Sequence, residues 1–357
     1  MKVKSLKYTA PFIIFIVSLF ALEGQGWIVC LPLVLVWVII PLVELALPPD
    51  NANMEAAEEE MAKHDQTYDI WLYLVVVLQY VALYVFLNSV QQNNNNVWET
   101  MGKVFVMGLL CGTFGINVAH ELGHRTDKRE QFLAKLLLLT SLYMHFYIEH
   151  NKGHHRRVST PEDPASARYG ESVYAFYFRS VVLSYLSAWH IAGKDMKKKG
   201  MPFLHWKNEM LQFQLIQAAF VIIIAVSFGW KACLLFIAAA FIGALLLETV
   251  NYIEHYGLER KRKENGQYER TLPVHSWNSN HVLGRIVLFE LSRHSDHHYM
   301  ASRKYQVLRH HDDAPQMPTG YPGMMVLSLI TPAWYAVMNP LVKKIREQSQ
   351  RTYPIRS

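Results

Sequence analysis

Apolar residues in this chain are gathered in blocks, at Tyr8–Leu22, Trp27–Leu47, Ile70–Leu87, Val104–Val118, Leu211–Phe228 and Ala232–Leu247. Several approach the roughly 20 residues a helix needs to cross a ~30 Å hydrocarbon layer. Lipid cannot satisfy backbone N–H and C=O groups, so each block predicts a helix. The first block is short and follows a basic start, Met1–Lys7, which is also the outline of a signal peptide. It lacks a small-x-small cleavage site, however, and a second block follows at once. It is therefore expected to stay and to pair with the second. The pattern predicts an all-α integral membrane protein with six transmembrane helices and a cytoplasmic His-rich cap.

The polar stretches between the blocks set the expected division. Residues 1–148 hold spans one to four, the first histidine motif and an interfacial segment. Residues 149–210 form a cap segment with the second motif, 211–250 a transmembrane hairpin, and 251–357 the rest of the cap. Of two further apolar stretches, Met324–Met338 is broken by Pro332 and reads as an interfacial helix. The other, Phe132–Ile148, is decided by the histidines below.

The net charge of +6 matters through its placement. With the N-terminus inside, the outer connections Glu23–Gly26, Asn88–Trp98 and Gly229–Lys231 carry almost no Lys or Arg. The basic clusters Lys2–Lys7, Arg125–Arg129, Lys194–Lys199 and Arg260–Lys263 all fall inside, as the positive-inside rule requires. Both termini are thus expected in the cytoplasm, with the protein in the cell's inner membrane. The acidic connection Pro48–Tyr68 carries little orienting weight. Cys30, Cys111 and Cys233 lie in or beside apolar blocks without a CxxC pair, which excludes a disulfide framework and an iron–sulfur or zinc-ribbon module.

Four segments carry the candidate chemistry. They are His120-Glu121-Leu122-Gly123-His124, Glu149-His150-Asn151-Lys152-Gly153-His154-His155, Asn251-Tyr252-Ile253-Glu254-His255, and Arg293-His294-Ser295-Asp296-His297-His298. Spacings of three and four place His120 with His124, His150 with His154, and His294 with His297 and His298 on shared helical faces. Neutral imidazole suits iron, zinc, copper or nickel. Nine such ligands exceed the four of one zinc and suit two metal ions. For all nine to meet, they must lie on one side of the membrane. Phe132–Ile148 is then expected not to cross, because crossing would strand His150, His154 and His155. Glu121, Glu149, Glu254 and Asp296 adjoin ligands and are candidates to support them, since metal-bound imidazoles usually donate their second N–H to a carboxylate or carbonyl. Glu248, a carboxyl costly in lipid, reads either as a functional group on the face of His255 or as a helix–helix hydrogen bond. His275 and His281 are near in sequence but cannot be placed. His64, His145, His190, His205, His310 and His311 lack the cluster spacing.

The segments HELGHR, EHNKGHH, NYIEHYG and LSRHSDHH, with HSWNSNH and PTGYPG between and after them, closely resemble the integral-membrane alkane 1-monooxygenases. These belong to the wider membrane fatty acid desaturase and hydroxylase superfamily. The resemblance runs from the second block to about Pro340; Arg125 and Ser292 stand where close relatives often have Lys and Gln. It implies metal ligation by His120, His124, His150, His154, His155, His255, His294, His297 and His298. It also implies two non-haem iron ions, O2 as co-substrate, and electrons from a separate rubredoxin with its NADH-dependent reductase. The implied reaction is terminal hydroxylation of medium-chain n-alkanes to 1-alkanols.

Terminal selectivity against weaker internal C–H bonds demands a narrow apolar tunnel, for which Trp37, Leu109, Leu110 and Leu246 are candidates. Arg156, Arg157 and Arg303 are candidates for docking rubredoxin on the cap. The alternatives are a fatty-acyl desaturase or aromatic side-chain hydroxylase of the same superfamily, a zinc protease built on the HExxH of HELGH, and a metal transporter. The protease would leave most of the histidines idle, and the transporter would spread them across the membrane.

Overall fold

A computed structural model describes residues 2–92 and 95–352. Among these residues there is no β-strand, only two isolated bridges, Arg262 with Tyr268 and Asn278 with Gln316. Five helical stretches are long and apolar enough to cross a membrane: α1 (Leu6–Glu23), α2 (Gly26–Ala46), α3 (Thr67–Ser89), α4 (Val97–Gly123) and a final element, Glu209–His255. Shorter or more polar helices are α5 (Lys128–Leu139) and α6 (Val173–Lys198). Glu209–His255 is α7; α8 (Tyr321–Leu329) and α9 (Thr331–Thr352) complete the set used below.

α4 is the centre of the bundle, 83% buried where the other four spans range from 28% to 56%. It begins with a capping box, in which Asn96 Oδ1 accepts from Glu99 N and Glu99 Oε2 accepts from Asn96 N. Glu99 Oε1 also accepts from Gly26 N at 2.7 Å, tying the α1–α2 turn to the start of α4. Small residues let α4 approach α7 backbone to backbone. A Cβ on Gly108 would meet Ile242 at 2.5 Å, and one on Gly243 would meet Cys111 at the same distance. This is the small-xxx-small contact of membrane helices, which lack a hydrophobic drive and associate by close packing. All three cysteines are free thiols, with Cys111 and Cys233 buried.

The 47-residue α7 doubles back on itself. Gly229 has φ 80° and ψ 162°, outside the helical region. Phe220 and Phe236 meet edge to face at 5.8 Å, and Cys233 Sγ lies 3.7 Å from Val221 O. In a straight helix residues 220 and 236 would be about 24 Å apart. Positive φ here asks for glycine. The sequence's hairpin with its turn at Gly229–Lys231 is thus a feature of the fold.

Trp27, Trp98 and Trp230 are 89%, 86% and 74% exposed, and each stands at one of the three short connections. Aromatic rings at that level form the belt at which membrane helices meet water. At the other end the chain builds a polar cap. Phe132–Ile148 does not run as one helix; α5 ends at Leu139, and a turn precedes the short helix Phe146–Glu149. α6 falls in a stretch that the sequence assigned wholly to the cap. It exposes Tyr174, Phe178 and Leu186 along one side, an apolar face not read from the sequence.

Candidate metal centre

The C-terminal end of α4 carries His120 and His124 after a π-helical stretch, Cys111–Ile116. A second π-helical stretch, His150–His154, carries the next motif. This local winding changes which rings meet. His150 Nε2 lies 2.9 Å from His155 Nε2, five residues on, and 3.0 Å from His124 Nε2. His154 turns instead to His298, Nε2 to Nε2 3.2 Å. The shared face expected for His150 and His154 is therefore split between two groups, because a π turn advances five residues where an α turn advances about four. The short helix His294–Tyr299 divides likewise, with His297 beside His120 at 2.9 Å and His294 beside His255 at 3.3 Å.

The nine predicted histidines thus form two clusters. His120, His124, His150, His155 and His297 make one; His154, His255, His294 and His298 make the other. Within each, the nitrogens lie within 4.8 Å of one another. Hydrogen bonding alone cannot account for this. An imidazole nitrogen carries one proton or one lone pair in the ring plane, yet His297 Nε2 faces both His120 and His155, and His150 Nε2 both His124 and His155. Lone pairs converging on one point suit a cation. Two cis nitrogens each about 2.0–2.1 Å from a metal lie about 2.9 Å apart, within the observed range. Burial, reinforced by neighbouring imidazoles, holds His150, His155, His294, His297 and His298 well below the ordinary histidine range, and His124 down to about 3. These six rings are neutral at pH 7, as ligation requires, whereas at His154 burial is outweighed by Asp163, which raises its pKa. The donor set fits a pair of first-row metal ions.

The supporting residues differ from expectation. Asp163, which the sequence did not single out, accepts from His154 Nδ1 at 2.8 Å and is itself held by Ser166 Oγ at 2.6 Å. Glu254 sets Oε2 3.1 Å from His294 Nε2, so it faces the converging nitrogens instead of backing a ring. Asp296 turns away from the clusters, bridging Arg303 at 2.6 and 2.8 Å, Arg309 N at 3.0 Å and His311 at 2.7 Å. Glu248 accepts from Tyr143 Oη at 2.8 Å and Ser180 Oγ at 2.5 Å and contacts none of the nine rings by hydrogen bond. It shares a small polar cavity with His150, His154 and Glu149. Glu149 is pushed up to about 7 by burial and by Asp163, with Arg157 opposing. His145 is buried against Tyr143 and Tyr185; His275 pairs with Glu269, and His281 with Ser279.

A narrow apolar cavity opens beside the clusters. Trp37 and Leu246 line it with Val36, Val250, Leu288 and Leu291. Leu109 and Leu110 are buried in the bundle and are not among its lining residues. Asn117, also on the wall, precedes His120 by one helical turn, and Leu291 precedes His294 by three residues, so the cavity leads toward the rings.

Residues 96–328 match the fatty acid desaturase family. Two alkane 1-monooxygenases of Pseudomonas aeruginosa are 43% and 42% identical to this chain, each over 85% of it and over 80% and 81% of their own lengths. The chain belongs to the alkane 1-monooxygenase family. The Acinetobacter baylyi member is 38% identical over 91% of this chain and 78% of its own length. Membership and the five apolar spans together make this a membrane protein, and members of the family depend on a redox partner.

Proposed function

We propose that this chain hydroxylates the terminal methyl of medium-chain n-alkanes to give 1-alkanols, at a centre of two iron ions. The observation that carries this reading is the convergence of nine imidazoles, seven buried and two half-buried, into groups of five and four, with an apolar cavity whose wall includes Asn117, one turn before His120. A protease of the HExxH type needs three ligands for one zinc and would leave six rings without a role. In the overall reaction, alkane, O2, two electrons and two protons give alcohol and water.

The five-histidine group would hold one iron and the four-histidine group the other. Bound iron supplies the activation of O2 that attack on a methyl C–H requires. The residues of this chain do the rest. The cavity walls, Trp37 and Leu246 among them, take the hydrocarbon from the bilayer end first and exclude water. Burial of the rings keeps the pocket dry. Asp163 fixes the tautomer of His154, and Glu254 places a carboxylate on the open side of His294.

In the membrane, the halves of α7 count as two spans, giving six, with both termini and the histidine cap in the cytoplasm of the inner membrane. The basic clusters at that end and the tryptophan belt at the other support this orientation. Electrons come from a rubredoxin reduced by its NADH-dependent reductase. The test is purified, iron-loaded protein with rubredoxin, reductase, NADH and a mid-length alkane. NADH-dependent 1-alkanol, identified by gas chromatography, is expected. Absence of any alcohol, or products only from acyl thioesters, would contradict the reading.

A further inference from the structure

Several cations of the cap are already paired. Arg157 lies 2.5 Å from Glu149, and Arg303 lies 2.6 Å from Asp296, so two of the three arginines that the sequence offered for docking are neutralised. Arg309 is paired with Glu59, Lys304 with Asp69, and Lys152 with Asp195. Among the stretches that keep cations free of a salt bridge, Lys128–Arg129 and Lys197–Lys199 included, is the segment 260–270. It folds back as a small hairpin, with the Arg262–Tyr268 bridge and Lys263 N donating to Gln267 O at 2.7 Å. Arg262, Lys263 and Arg270 are exposed on it, and Arg156 is exposed beside it. Among the described residues, no carboxylate lies within salt-bridge distance of these four.

Both roots of this hairpin rest on residues next to proposed ligands. Arg260 Nη1 donates to Arg156 O at 3.0 Å, and Arg260 N donates to Ser159 O at 2.7 Å. Arg156 follows His155 directly, in the five-histidine group. At the other root, Arg270 stacks its guanidinium 5.0 Å over the ring of Tyr299, which follows His298 in the four-histidine group. A third route is made of hydrogen bonds. His154 Nδ1 meets Asp163, Asp163 accepts from Ser166 Oγ, Ser166 accepts from Ser159 N, and Ser159 O accepts from Arg260 N. One exposed basic feature is thus tied to each cluster by short covalent and hydrogen-bonded paths.

We infer that the 260–270 hairpin, with Arg156, is the docking surface for an acidic one-electron carrier protein. The inference rests on the oxygenase reading given above and names where its two electrons arrive, one per docking event. An acidic partner is favoured because unpaired cations steer an opposite charge toward contact. The paths through Arg156 and Tyr299 place that contact over the clusters.

The test uses full-length protein in nanodiscs of neutral lipid and rubredoxin as the probe. In the variant Arg262→Glu/Lys263→Glu, the dissociation constant for rubredoxin should rise at least about tenfold. The KM for rubredoxin in alkane turnover should rise with it, while kcat at saturating donor is retained. Arg262→Gln/Lys263→Gln should fall between, which guards against a misfolded hairpin. Lys197→Glu/Lys198→Glu, the same charge change at the end of α6, should leave binding unchanged. Wild-type affinity should fall with salt, and more steeply than that of the reversed pair. Binding unchanged by reversal in the hairpin, or weakened equally by reversal in α6, would overturn the docking surface. Wild-type protein that binds rubredoxin through the hairpin yet forms no alcohol would support this surface and defeat the functional reading.

Discussion

Asp163 Oδ2 lies 2.8 Å from His154 Nδ1, and both groups are buried. The carboxylate fixes the proton on Nδ1 and turns the bare Nε2 toward the four-histidine group. Asp163→Asn should keep the fold but weaken metal binding at that group 10- to 100-fold, roughly the cost of losing such a partner. Chelator competition followed by metal analysis reads this. Unchanged retention would show that the contact is only structural.

Glu44, near the C-terminal end of α2, accepts from Gly284 N at 2.7 Å and packs over Gly320, where a Cβ would overlap its carboxylate. Those glycines flank Leu288 and Pro322, both on the apolar cavity. Gly320→Ala should therefore cost about 1–3 kcal/mol of stability, an overpacking penalty. By shifting the cavity wall it should also produce some subterminal alcohol. Thermal unfolding in detergent and chromatography of the products measure the two effects; wild-type behaviour in both would remove Glu44 from this role.

Much of this was legible beforehand, and what was not shares a cause. That the nine histidines come together could be foreseen because they fall in four short segments of the chain. The Gly229 turn could be found because apolar blocks stop there. Asp163 gave no signal, being an acid beside Glu162 in a loop, nine residues from the ring it serves. Asp296 misled for the opposite reason. Its place between His294 and His297 suggested support for the rings, yet on a short helix it points toward Arg303 and His311. The partition of the rings was hidden because α-helical spacing does not foresee a π turn at His150–His154.

Glu290 tests the electrostatics of the cap. Phe289 and Glu290 have φ of 49° and 60°, a left-handed pair just before the fourth histidine motif. Lys7 Nζ at 2.9 Å, Tyr8 Oη at 2.7 Å and Arg285 Nε at 2.7 Å hold the Glu290 carboxylate. Burial alone would raise its pKa, but Lys7, Arg285 and Arg293 outweigh burial and hold it down to about 2, against an ordinary 4.5. The folded-state value is the lower one, so the stabilisation is present above about 4.5 and is lost as pH falls toward 2. At neutral pH it is about 3 kcal/mol. Unfolding of Glu290→Gln should show a deficit of that order at pH 7 that narrows below pH 4.5. A deficit constant with pH would refute the charge account.

The apolar cavity makes a prediction about chain length. Leu246→Ala should deepen it and shift the preferred alkane to longer chains. Each methylene newly accommodated should raise kcat/KM about fourfold, from ~0.8 kcal/mol of burial per CH2. Turnover across an alkane series checks this, and an unchanged profile would place the substrate elsewhere.

The central claim is a pair of metal ions in two histidine cages, and elemental analysis of purified protein tests it most directly. The account predicts about two irons per chain, with His297→Ala and His298→Ala each lowering the content to about one by emptying a different group. One zinc per chain, or full metal content in both variants, would contradict it.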